Sequence, residues 1–305
     1  MPFTMKMPFQ NLRTIWVMVG CVLLGPAITS CEDPIDVDLD EGTVQLAVDA
    51  FLTDESGEKR IVLTETTPYF DNTTQRFADG ATVRITDDLG KVYDFQAAPE
   101  GQGNYIWEPD TADTNFGEVG RTYTLSVTHN GNTFEASSTV NPVPTLDSVT
   151  VEFREEEFGE EEGYYATFFA FDLPNREDYY WIRTYRNGVF FDDPTAINVS
   201  VDGAFGSNGA DGFLFIIPIR EFLINDDSDP YKLGDEVRVE LWAITEPTWS
   251  FLGELASQLT NNGLFATPAA NIRTNIVNAD PNSDVKAVGW FSVSAVSSGT
   301  AIAGQ

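Results

Sequence analysis

Tyr123, Leu125 and Val127 alternate with polar residues in "RTYTLSVTH", and Phe134 and Ala136 do the same in "NTFEASST". An apolar residue at every second position describes a strand with one face in a core and the other in water. Between these arms stands Asn130-Gly131, a pair favoured in two-residue hairpins because both positions take positive φ. The same period runs through "TVQLAVDAFLT", "RIVLTETT" and "ATVRITDD", with turn residues between them. Residues 43–140 therefore read as an N-terminal β-sandwich of immunoglobulin-like or transthyretin-like type. His129 falls at the hairpin turn, where a solvated polar residue is the expectation.

Pro142 and Pro144 follow at alternate positions, so residues 141–145 read as a stiff extended linker. Residues 146–305 open a second β-rich region. Its expected strands are "SVTVEF", "YYATFFAF", "DYYWIRTYRNGVFF" with a second hairpin signal at Asn187-Gly188, "GFLFIIPI", "EVRVELWAI" and the closing "AVGWFSVSAV". In "TEPTWSFLGELASQLTNNG" the period changes. Trp249, Leu252, Leu255, Ala256 and Leu259 lie three or four apart, which is one face of an amphipathic helix near 246–262. Thr245 or Thr248 caps its start and Gly263 follows its end. The fold class is mainly β, a sandwich followed by a second β-rich domain with one helix.

The first thirty residues follow another pattern. Lys6 and Arg13 are the only charges before Cys31, and Thr14 to Ile28 is almost wholly apolar. A basic start, a short apolar run and small residues before a cut describe an export signal, too short to span a bilayer. Ile28, Thr29 and Ser30 before Cys31 resemble a bacterial lipobox. The resemblance implies cleavage after residue 30, acylation of Cys31, and a membrane held through that lipid anchor. Cys21, after Met18, Val19 and Gly20, is disfavoured because it would truncate the apolar run. Residues 31–42 then form an acidic tether (Glu32, Asp33, Asp36, Asp38, Asp40, Glu41). Acids directly after the lipid cysteine resemble the surface-export signal of Bacteroidota lipoproteins, which implies the cell-surface side of the outer membrane.

Charge sharpens this picture. The chain carries 17 basic and 48 acidic residues, a formal net charge of −31. Such a surface repels nucleic acid, so no nucleic-acid partner is expected. With Cys31 lipidated no free thiol remains, and the single histidine, His129, argues against Ser–His–Asp catalysis and against a multi-histidine zinc site. No G-x-S-x-G elbow or phosphate-binding loop is present. Catalytic residues are therefore not assigned, and the expectation is a non-enzyme. Carboxylate pairs are so numerous that a surface glycan hydrolase stays open as an alternative, as does a structural or adhesive module. Calcium is the one cofactor left open, at "NDDSDP" (Asp226, Asp227, Asp229) and at "NADPNSD" (Asp280, Asn282, Asp284). Neither has the spacing of a helix–loop–helix calcium site, and solvated turns are the preferred reading of both.

Doubled aromatics mark a possible surface. Tyr164, Tyr165, Tyr179, Tyr180 and Trp181 fall in two successive expected strands, and adjacent rings must point to opposite faces. One face is core. The other is covered by the helix or the first domain, or else it binds a ligand or a receptor.

Taken in order, the lipobox with "DVDL", then "VQLAVDAFLTDE", "IVLTETTPYF", "GATVRITDD", "GRTYTLSVTHNGNTFEA", "DYYWIR" and "ATPAANIRTNIVNADPNSDVKAVGWFSVSAVS" resemble the Bacteroidota lipoproteins catalogued as domain of unknown function forty-two forty-nine. The resemblance covers nearly all of the chain after Cys31. It implies an outer-membrane lipoprotein that keeps company with a TonB-dependent receptor, and so an accessory role in nutrient uptake. It transfers no catalytic residues. The small-molecule or glycan ligand is not specified.

Overall fold

Alternation becomes strand wherever it was expected in the first half of the chain. The computed structural model describes residues 43–67, 75–110, 115–156, 161–205, 211–221, 223, 230–261 and 270–305. The lipobox residues Ile28, Thr29 and Ser30, with Cys31, and the acids Asp226, Asp227 and Asp229 lie outside them. Residues 43–140 hold β1 (Leu46–Thr53), β2 (Lys59–Glu65), β3 (Arg76–Phe77), β4 (Thr82–Asp87), β5 (Val92–Ala97), β6 (Asn104–Trp107), β7 (Thr122–His129) and β8 (Asn132–Thr139). Then come β9 (Leu146–Arg154), β10 (Gly163–Ala170), β11 (Tyr179–Arg186), β12 (Val189–Phe190), β13 (Asn198–Val201), α1 (Ile217–Glu221), β14 (Glu236–Ile244), α2 (Glu246–Leu259), β15 (Val277–Asn278) and β16 (Ala287–Ile302).

Among the described residues one mixed sheet runs in the order β12-β11-β14-β16-β1-β2-β6-β5-β4-β7-β8-β15, with β13 on β11 and β3 on β2. β9 and β10 form a separate antiparallel pair. The connecting piece is β16. Its first half runs parallel to β1, from Leu46↔Ala287 to Thr53↔Ser294. Its second half runs antiparallel to β14, from Ala243↔Ala295 to Glu236↔Ile302. Trp290 to Ala295 are all buried, as a central strand covered on both faces requires. Gly289 sits opposite Val48 at φ +96°, where a Cβ would lie 2.0 Å from the Val48 carbonyl oxygen.

Residues Thr43–Gln305 make one compact unit, and a division at the prolines is not confirmed. The first core takes Leu46, Val48, Ile61, Ile85, Tyr93 and Val127 from the N-terminal region, and also Ile276, Phe291 and Val293 from the end of the chain. A second core collects Phe168, Tyr180, Phe215, Ile219, Tyr231 and Val239. Val143, between the two prolines, packs on both. The 141–145 stretch forms no helix or strand, and it is stitched down by Asn141 Nδ2 donating to the Ile244 carbonyl (3.1 Å) and by Leu146 N–H, just after it, donating to Ser297 Oγ (2.8 Å).

Both Asn-Gly hairpins form, with positive φ at Asn130, Gly131, Asn187 and Gly188. The aromatic strands β10 and β11, successive in the chain, take different partners: β10 pairs with β9, and β11 with β14, β12 and β13. Two expectations need correction. "GFLFIIPI" is not a strand: its second half is α1, because Pro218 cannot donate to a ladder but suits the first turn of a helix. His129 is not solvated: its side chain is 10 % exposed and its Nε2 lies 2.9 Å from Glu65 Oε1.

Helix α2 starts at Thr245, whose hydroxyl accepts from Thr248 N–H. Phe251 stacks on Trp290 at 4.5 Å, and the Trp290 indole N–H donates to Thr248 Oγ1 (3.1 Å). These contacts lay the helix over the sheet and fix one wall of the site.

Candidate functional site

Period two in β11 puts Tyr179, Trp181, Arg183 and Tyr185 on one face and Tyr180, Ile182 and Thr184 on the other. Tyr180 is fully buried in the second core, where its hydroxyl donates to Asp172 Oδ1 (2.6 Å); burial drives its acidity well below that of an ordinary phenol. Trp181 belongs to a third core with Trp242, Phe251, Leu252 and Trp290, and it meets Phe51 edge-on at 5.4 Å. Tyr179 packs 5.7 Å from Trp249 of α2, and its hydroxyl, bonded to Glu177, is pushed up to about 12. Tyr164 and Tyr165 lie apart from these, on β10. Tyr164 meets Phe153 and lines a shallow hollow with Tyr231, whereas Tyr165 donates to the Glu161 carbonyl and faces Arg154.

Beside Trp181 opens a cavity of about 500 Å³. One wall is Phe51 of β1 and Val62 of β2, another is Trp181 and Phe190, and a third is Leu252, Leu255 and Leu259 of α2. Pro194, Ala196 and Ile197, in and after a short 3₁₀ turn, close the remaining side. Asp193 holds that turn by accepting from Thr195 N–H (2.8 Å) and Oγ1 (2.6 Å), which keeps its carboxyl below the usual carboxylate range. The size and mostly apolar lining suit a small organic ligand.

The polar groups in this lining differ in how far they are committed. Arg60 is bonded to Glu58, Glu100 and Asn104. Arg183 has no hydrogen-bond or ion-pair partner among the described residues, and its Nε is buried without one. Register places Arg183 directly opposite Glu240. Glu240, however, turns elsewhere. Its Oε2 accepts from Tyr185 Oη (3.0 Å) and Trp242 Nε1 (2.8 Å), and its Oε1 lies 2.7 Å from Arg238 Nη2. The Arg183 guanidinium is held instead over rings, 4.0 Å from the centroid of Phe190, 4.5 Å from Trp242 and 4.7 Å from Trp181. Burial lowers the Arg183 pKa, opposed by the charges of Glu240, Asp49 and Glu55, and an arginine stays protonated regardless. Asp49, on the cavity wall from β1, has its carboxyl raised by desolvation, while the Arg183 charge pulls the other way.

Sequence reasoning found Trp181 and the helix but missed Arg183 and Asp49. The available signal was one arginine inside the aromatic strand "YYWIRTY". Of the calcium candidates, the described one is a set of Asx turns: Asp280 Oδ1 accepts from Asn282 N–H (2.9 Å), and Asp280 N–H donates to Asn278 Oδ1 (2.9 Å). No group of three acidic, His or Cys side chains among the described residues is arranged to hold a metal. No described helix is long and apolar enough to cross a membrane.

Fold and site together define a β-sheet protein built around a lined cavity. The chain belongs to the family described as Domain of unknown function (DUF4249), whose model matches residues 32–300. No curated protein matches it.

Proposed function

We propose that this chain is a Bacteroidota outer-membrane lipoprotein, anchored through Cys31 on the cell-surface side, that holds a small ligand as accessory to a TonB-dependent receptor. The observation that carries the binding role is the cavity of about 500 Å³ beside Trp181, walled by aromatic and aliphatic side chains from β1, β11 and α2. A cavity of this kind, apolar over most of its wall with charged groups at Asp49, Arg60, Arg183, Asp192 and Asp193, is suited to holding a ligand. The lipobox and the acidic residues after Cys31 support the anchor and its exposure. The receptor partnership rests on the family resemblance. No catalytic role is proposed.

The test is isolation from native membranes through a C-terminal tag after mild detergent extraction, with mass spectrometry of what accompanies the protein. Cys31→Ala is fractionated beside it. A co-isolating TonB-dependent receptor, together with loss of membrane attachment in Cys31→Ala, is expected. Recovery of the protein without any outer-membrane barrel would overturn the receptor role. Unchanged membrane attachment in Cys31→Ala would overturn the anchor.

A further inference from the structure

An arginine needs a reason to stand without a hydrogen bond in a partly buried site. Buried donors are ordinarily satisfied, and each exception calls for an explanation. Arg183 cannot be explained as a structural ion pair, because Glu240, the carboxylate directly opposite, is used up by Tyr185, Trp242 and Arg238. Nor is it stranded on open surface, since it lines the cavity. The rings of Phe190, Trp242 and Trp181 hold its charge through their π-faces. That kind of contact fixes the guanidinium and consumes none of its N–H donors. The terminal nitrogens, unlike Nε, are not closed off from solvent. The result is an oriented cation with open donors in an apolar cavity, which is the arrangement that recognises an oxyanion bidentately.

We propose that the cavity takes an organic acid, an apolar body with a carboxylate or sulfonate head, and that Arg183 receives the head. This deepens the binding role proposed above and rests on it. The body lies among Phe51, Trp181, Leu252 and Leu255. Asp49, Asp192 and Asp193 line the same cavity. Asp193 is engaged by Thr195, and Asp49 is the lining carboxylate whose charge acts on Arg183 and so weakens its hold on an anion.

Two probes with one body separate the two levels of the reading. 8-Anilinonaphthalene-1-sulfonate carries a sulfonate, and N-phenyl-1-naphthylamine is its uncharged counterpart. Both are titrated against the full chain carrying Cys31→Ala, so that no acyl chain competes. In that background the sulfonate binds at one site and more tightly than the neutral probe. Arg183→Met lowers sulfonate affinity by about tenfold or more, the worth of a charge-assisted bond, and leaves the neutral probe within about twofold. Asp49→Asn, at an exposed position on the wall, raises sulfonate affinity only, and tests the same charge should Arg183→Met fold poorly. Leu255→Trp, which fills the cavity, weakens both probes. Equal losses of both probes in Arg183→Met, or no gain in Asp49→Asn, would overturn the organic-acid proposal and leave the cavity as a site for neutral ligands. Indifference of both probes to Leu255→Trp would overturn the cavity as the binding site, and the organic-acid proposal with it.

Discussion

Removing Glu240 should cost far more than its surface neighbours suggest. The residue is 3 % exposed, and a single carboxylate oxygen serves two donors, the Tyr185 hydroxyl at 3.0 Å and the Trp242 indole at 2.8 Å. In Glu240→Ala both donors lose a charged acceptor. Trp242 is 4 % exposed and cannot turn to water, so its N–H is left unpaired at about 1–3 kcal/mol. Tyr185 loses a similar bond in a half-buried setting, toward the lower end of that range. The Arg238 pair adds little, under ~1 kcal/mol, because Arg238 is 39 % exposed and also reaches Glu55. The whole change is about 2–5 kcal/mol, a large share of a domain's stability. Glu240→Gln keeps an acceptor oxygen for both donors and should lose only ~1–2 kcal/mol. Urea unfolding at pH 7, followed by tryptophan fluorescence and circular dichroism, gives both values by linear extrapolation. A loss below ~1.5 kcal/mol in Glu240→Ala, or equal losses in the two variants, would refute the assignment of Glu240 as the shared acceptor.

Two further outcomes follow from the geometry. Gly289→Ala places a Cβ 2.0 Å from the Val48 carbonyl oxygen at a φ of +96°, so the β1–β16 ladder must part or the residue must change conformation. A loss of at least ~3 kcal/mol in urea unfolding is expected, and a value under ~1 kcal/mol would show that the strand joint yields easily. The second outcome concerns pH. Asp172 and Asp178 are 3 % and 2 % exposed, and desolvation raises both carboxyls, with like charge from Asp202 adding to it. A raised folded pKa contributes stability that is full below the unfolded value, near 3.8, and is lost as pH rises through the folded value. Asp172→Asn should therefore gain stability relative to wild type as pH rises from about 3.8, read as the difference in melting temperature in 1 M NaCl, where repulsion between surface acids is screened to about 3 Å. A difference that stays constant or shrinks with rising pH would contradict this.

Local grammar explains which features could be read in advance. Thr245 before a three-four apolar spacing fixes a helix start, and Asn130-Gly131 between alternating arms fixes a hairpin; each depends on neighbours in the chain. "GFLFIIPI" was misleading because a short apolar run does not distinguish strand from helix, and only Pro218 carried the contrary signal. The union of β1 with β16 joins Val48 to Gly289, and nothing local in either strand announces a partner so distant. The site was half legible for the same reason. Alternation put Trp181 and Arg183 on one face. That Glu240 would be spoken for by Tyr185 and Trp242, leaving Arg183 with open donors, depends on side-chain directions across two paired strands.

That long-range joint also ties the cavity to the stability of the sheet. Asp49 and Phe51 come from β1, Trp181 and Arg183 from β11, and the sheet connects the two strands through β16 and β14. Phe51 reaches Trp181 at 5.4 Å only while β16 keeps both registers, parallel to one neighbour and antiparallel to the other. The walls of the cavity are therefore not a local feature of any one hairpin. A lesion at Gly289, on the same strand as Trp290 and one register step from Asp49, should loosen the sheet and open the cavity together. A lesion at the distant Asn130-Gly131 turn acts on the outer strands β7 and β8 and should lower stability while probe binding in the surviving folded protein is kept. Site and joint stand or fall together because the same strand builds both.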